Sequence, residues 1–181
     1  MPVSDKKKRN LIYLVGMPGV GKSTIGKKLK KHFEFEFIDL DREIENTTKH
    51  SISSIFAKYG EETFRDIEAK VLRSVSNQSV IIATGGGTPI YQDNMHFMLQ
   101  NGVVTYLTLP IEMLVGRVNQ SRTKRPLFEG KTDAELQSFI SELYQRRKHV
   151  YENAQIHFST KSVTTGDLLS LTEKIRSYLK S

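Results

Sequence analysis

Four short apolar runs punctuate the chain: Leu11–Val15, Phe35–Ile38, Val80–Ala83 and Val103–Leu107. Continuous apolar character over so few residues predicts strands buried on both faces. Between these runs, apolar positions recur with a helical period. They predict helices over Lys22–Phe33, Ser51–Tyr59, Glu61–Ser76, Gln92–Gln100, Ile111–Gln120, Asp133–Asn153 and Gly166–Leu179, with a further short strand at Ile156–Phe158 before the last. Buried strands alternating with crossover helices imply an α/β fold, a parallel sheet with helices on both faces. Ligands then gather at the carboxyl ends of the strands. The segment Ser121–Thr132 is charged, contains Pro126 and Gly130 and has no apolar period, so it predicts a mobile loop between two helices.

Composition narrows the class. The 181 residues are 38% hydrophobic and 26% charged, which suits a soluble globular protein and disfavours disorder. One domain over residues 11–181 is expected, preceded by a basic, flexible tail over residues 1–10. With no cysteine there is neither a disulfide framework nor a thiol ligand or nucleophile. The five histidines lack the spacing of a zinc site. Leu11–Val15 is too short for a secretory apolar region, and no membrane span follows, so a cytoplasmic protein is expected. The net charge of +7 raises nucleic acid as a partner, but Lys6, Lys7, Lys8 and Arg9 lie in the tail and the remainder suits a binder of small anions; no nucleic-acid role is assigned.

Gly16-Met17-Pro18-Gly19-Val20-Gly21-Lys22-Ser23 satisfies the pattern G-x-x-x-x-G-K-[ST] and stands between an expected strand and an expected helix, the context a P-loop requires. Glycines let backbone N–H groups close around phosphate oxygens, and the helix N-terminus adds positive potential. Lys22 reaches the β- and γ-phosphates, and the Ser23 hydroxyl is placed to bind Mg2+. P-loop NTPases include switches, motors and small kinases, so other residues must decide the reaction. The chain has neither an Asn-Lys-x-Asp guanine reader nor an Asp-x-x-Gly switch, and Val80–Thr84 runs into glycines rather than into the acid a motor ATPase places there.

Asp39-Leu40-Asp41 ends the second expected strand, where strand alternation puts both carboxylates on one face. One acid there suits water-mediated support of Mg2+, the other the attacking hydroxyl. Gly85-Gly86-Gly87 follows the third strand, permits close backbone approach and suits an anion-accepting nest. Arg65 and Glu68 share a helix face, a spacing that by itself reads as a surface ion pair.

Taken together, these elements resemble the shikimate kinases. The resemblance runs from about Leu11 to Tyr151 and rests on the P-loop, Asp39-Leu40-Asp41 with Ile44-Glu45, Phe64-Arg65-x-x-Glu68, the triple glycine after a strand, and Arg125-Pro126-Leu127 in the expected lid. It implies ATP:shikimate 3-phosphotransferase activity on the route to chorismate and aromatic amino acids, in a nucleoside-monophosphate-kinase-like fold with a mobile lid over about residues 121–132, and a monomer. Residue by residue, it implies that Gly19, Val20, Gly21, Lys22, Ser23 and Thr24 hold the triphosphate, and that Ser23 ligates Mg2+ with Asp39 assisting through water. Asp41 would bind the shikimate hydroxyls and serve as base. Arg65 and Arg147 would clamp the carboxylate, and Gly86 would offer a backbone N–H. Arg125 and Lys22 would close on the phosphates as charge develops, while Arg117 would pack on adenine. Departures occur at Arg147-Lys148-His149-Val150-Tyr151, which keeps only the arginine–tyrosine spacing and has Arg146 beside it, and after Thr160, where no adenine-contacting loop is matched. A kinase for a sugar acid such as gluconate or for a nucleotide, and a P-loop binding module without acceptor chemistry, are the other readings.

Overall fold

The computed structural model describes residues 10–75, 79–120 and 131–180. Residues 1–9 of the basic tail and 121–130 of the expected lid, Arg125 among them, lie outside the described residues. Five strands, β1 (Asn10–Val15), β2 (Glu36–Asp39), β3 (Ser79–Ala83), β4 (Gly102–Thr108) and β5 (Ile156–Ser159), form one parallel sheet in the order β2-β3-β1-β4-β5. Successive residues of a strand point to opposite faces, and every residue of Leu11–Val15 and Val80–Ala83 is buried, so both faces of the sheet centre are covered. The covering helices are α1 (Lys22–Phe33), α2 (Leu40–Thr48), α3 (Ile52–Ser74), α4 (Asn94–Asn101), α5 (Ile111–Gln120), α6 (Asp133–Tyr151) and α7 (Thr165–Lys180). Among the described residues no helix is long and apolar enough to cross a membrane.

Asn10 pairs with Ser79 in the β1–β3 ladder, so the sheet begins one residue inside the stretch expected as tail. The register aligns Leu14 with Ala83, Val15 with Tyr106, Ala83 with Asp39 and Thr108 with Ser159. Gly16, Asp41, Thr84–Gly87 and Thr160 consequently issue from one edge of the sheet.

Three elements differ from expectation. β2 ends at Asp39, and Leu40 and Asp41 already belong to α2, a helix not expected from the pattern. Its reason is the i, i+4 pair Leu40 and Ile44, both fully buried, while Asp41 and Glu43 in its first turn suit the positive end of the helix. The two carboxylates therefore do not share a strand face; one ends a strand and the other opens a helix. The two helices expected over Ser51–Ser76 meet as α3, broken at Gly60 by φ 80°, ψ 174°, a backbone state open to glycine. Finally, a 3-10 turn at Thr88–Ile90, with Pro89 inside it, separates the triple glycine from α4.

Candidate active site

The phosphate loop is built by glycines that must be glycines. Gly16, Gly19 and Gly21 have φ of 137°, 83° and 101°, and a Cβ on Gly16 would stand 2.5 Å from the Leu107 carbonyl oxygen. Gly21 hands the chain to α1, whose buried stripe of Ile25, Gly26 and Leu29 seats it on the sheet. No acid stands in the first turn of α1, so its positive end is left to an anion. The Lys22 ammonium donates to the carbonyls of Gly16 at 2.7 Å and Met17 at 2.9 Å. Ser23 donates its hydroxyl to Asp39 Oδ2 at 2.6 Å, which leaves Asp39 at the start of α2 without a side-chain capping bond. Thr24 is exposed and Val20 buried.

A second set of contacts holds the loop from the other side. Arg117, near the end of α5, donates to the carbonyls of Val20 at 3.2 Å and Thr160 at 2.9 Å. The Thr160 hydroxyl, directly after β5, lies 2.9 Å from the Val20 carbonyl and 3.1 Å from that of Thr108. The guanidinium edge of Arg117 is thus engaged by backbone.

Opposite the loop, the triple glycine acts as a spacer. None of the three is among the glycines with positive φ, so the left-handed freedom expected of a nest is not used there. What matters is the missing side chain. A Cβ on Gly85 would meet Glu68 Oε1 at 2.6 Å, Thr88 Oγ1 at 2.9 Å and Asp41 Oδ1 at 3.4 Å. One on Gly86 would meet Pro18 Cδ at 2.8 Å and Arg147 Nη1 at 3.2 Å, and one on Gly87 would enter the Arg65 guanidinium. Asp41, Arg65, Glu68 and Arg147 thus converge on one turn, with the P-loop proline against it. Arg147 rather than exposed Arg146 reaches this turn. One helical turn further, the fully buried Tyr151 donates its hydroxyl to the Gly86 carbonyl at 2.6 Å.

The Arg65–Glu68 pair is not the surface pair its spacing suggested. Glu68 is 0% exposed and accepts from Arg65 Nη1 at 2.8 Å and from the Thr88 hydroxyl at 2.6 Å, while Arg65 Nη2 also bonds exposed Glu61 at 3.2 Å. Burial pushes the Glu68 carboxyl above its ordinary value, against the pull of Arg65 and Thr88. For Arg65, burial works against the charge, but Glu68 and Glu61 overcome it and the guanidinium is held charged. The Tyr151 phenol is pushed up to about 12 by burial, with Arg147 opposing, so it remains a donor at neutral pH.

Comparison with known proteins places this arrangement. The family model described as shikimate kinase matches residues 18–179. The chain belongs to the shikimate kinase family. A family relative from Parabacteroides distasonis is 41% identical over 155 residues, covering 85% of this chain and 90% of the relative. The crystal structure of the shikimate kinase of Bacteroides thetaiotaomicron superposes with a TM-score of 0.85 at 32% identity, covering 95% of this chain and 99% of that one. The Acinetobacter baumannii shikimate kinase in complex with shikimate gives a TM-score of 0.79 at 34% identity, covering 94% and 93%. This likeness in fold agrees with the expected P-loop, nucleoside-monophosphate-kinase-like sheet.

Of the residues the family resemblance singles out, Gly19–Thr24, Asp39 and Arg117 lie on the loop side, and Asp41, Arg65, Gly86 and Arg147 on the glycine-turn side. Thr88, Tyr151 and Thr160 hold these sets in place and carried no sequence signal beyond standing just after a strand, a glycine run or an arginine.

Proposed function

We propose that this chain transfers the γ-phosphate of ATP to the 3-hydroxyl of shikimate. The observation that carries the reading is the pairing of a phosphate loop with two guanidinium groups and a carboxylate gathered on a glycine turn. That geometry suits a small acid with hydroxyls held against a triphosphate. Arg65 and Arg147 hold the substrate carboxylate, guanidinium being the group that matches it two-fold. Gly86 offers its backbone N–H, and Asp41 binds the hydroxyls.

Gly19 to Thr24 cradle the triphosphate, and the flat face of Arg117 supports adenine. In transfer, Asp41 takes the proton of the acceptor hydroxyl as its oxygen bonds the γ-phosphorus. The bond from that phosphorus to the bridging oxygen breaks and ADP departs. Lys22 exchanges its loop carbonyls for phosphate oxygens, and Arg125 joins it as charge moves to the leaving oxygen. Ser23 and Asp39 present hard oxygens 2.6 Å apart beside the loop, a donor set that suits Mg2+, which takes one or two protein oxygens and completes its shell with phosphate and water. Bound there, Mg2+ would neutralise developing phosphate charge.

The test is coupled ADP release with ATP and Mg2+ plus shikimate, gluconate or no acceptor, with Lys22→Ala as the blank. Stimulation by shikimate alone is expected. Equal stimulation by gluconate, or none by either while ATP still binds, refutes the assignment. The chain is read as a cytoplasmic monomer of one domain.

A further inference from the structure

Glu68 has two carboxylate oxygens in a place no water reaches, and each has one donor: Oε2 takes Arg65 Nη1 at 2.8 Å and Oε1 takes the Thr88 hydroxyl at 2.6 Å. We propose that Thr88 is a positioning residue for recognition of the acid substrate: by engaging Glu68 Oε1 it turns Oε2 toward Arg65 and so sets the direction of the clamp. The inference rests on Arg65 being that clamp.

Thr88 is suited to this because it is itself held firmly. It is 0% exposed, opens the 3-10 turn after the triple glycine, and its carbonyl accepts from the Asn94 side-chain amide at 2.9 Å. Asn94, also fully buried, receives Arg73 through its side-chain oxygen, and Arg73 reaches Asp93 and lies over the Phe97 ring. A connected polar chain therefore runs from α3 and α4 through Thr88 and Glu68 to Arg65. Buried carboxylate oxygens require donors, and a carboxylate deprived of one rotates toward the donor that remains. Without the hydroxyl, Glu68 would swing both oxygens toward Arg65 and draw the guanidinium out of line. The P-loop side, held by Arg117 and Thr160, shares none of these bonds.

The test compares wild type with Thr88→Val, which keeps the volume and deletes the hydroxyl, and with Thr88→Ser, which keeps the hydroxyl. Thr88→Ala replaces the valine variant should that one not fold. In steady-state ADP release, Thr88→Val is expected to raise the KM for shikimate roughly tenfold. The KM for ATP stays within twofold, and Thr88→Ser behaves as wild type. An unchanged shikimate KM, a parallel rise in both KM values, or a serine variant as impaired as valine overturns the proposal. If wild type turns over shikimate but valine has no effect, only the relay fails. A wild type indifferent to shikimate removes the kinase reading, and the relay with it.

Discussion

Gly87→Ala separates fold from recognition. Gly87 sits at φ −91°, ψ −15°, a conformation alanine adopts freely, so the change brings no backbone strain and reduces the freedom of the unfolded chain by about 0.4–1 kcal/mol in favour of folding. The new methyl, however, would lie 2.5, 2.6 and 2.8 Å from Nη2, Cζ and Nη1 of Arg65. Ordinary contacts between carbon atoms are about 3.5–4.0 Å, so the guanidinium must retreat by about 1 Å. It can do so cheaply: it is the end of a flexible side chain, and its Glu61 side opens toward solvent. Retreat is costly for recognition, where a displacement of about 1 Å can lower the rate about 100-fold. Urea unfolding followed by circular dichroism should therefore place the variant within about 1 kcal/mol of wild type. Its KM for shikimate should rise by roughly ten- to a hundredfold, with the ATP KM unchanged. A variant with an unaltered shikimate KM would show that Arg65 is not the clamp, and a loss beyond about 3 kcal/mol would show that the guanidinium cannot yield as argued.

Three further outcomes follow from the same turn. Burial raises the Glu68 carboxyl above its ordinary value, with Arg65, Thr88 and Asp41 as its polar surroundings, so on acidification it loses its charge earlier than an ordinary carboxylate. The shikimate KM should rise as pH falls, with an inflection above the ordinary carboxylate range that Glu68→Gln abolishes; an inflection within that range contradicts the burial argument. In the same window stability should fall as pH rises, because the folded carboxyl holds its proton more tightly than the unfolded one, and a pH series of urea midpoints checks the sign. Tyr151→Phe removes the donor to the buried Gly86 carbonyl, a loss of about 1–3 kcal/mol in urea unfolding. A neutral result would mean that the carbonyl finds another donor.

Much of the fold was legible because its signals are local. Buried parallel strands read as continuous apolar runs, and the P-loop is a contiguous pattern whose strand and helix stand on either side of it. Where two periods overlap, the pattern is ambiguous: Phe35–Ile38 and Leu40–Ile44 abut without a turn signal, so the start of α2 reads as a strand end and Asp41 as sharing a strand face with Asp39. Glu68 illustrates another limit. Its i, i+3 distance from Arg65 is the same whether the pair faces water or the core, and only the packing of α3 against the glycine turn buries it.

Sequence alone determined the parallel α/β class, the phosphate-binding loop and, through the order of its motifs, the resemblance to shikimate kinases, since each depends on residues adjacent in the chain. The tertiary structure decided which side chains share the site. Glu68 and Thr88 lie 20 residues apart, Gly86 and Tyr151 65, and Val20 and Thr160 140. Contacts across such separations are set by strand order and register, which bring the carboxyl ends of the strands to one edge. They are also set by burial, which makes each unpaired polar group costly enough to choose its partner.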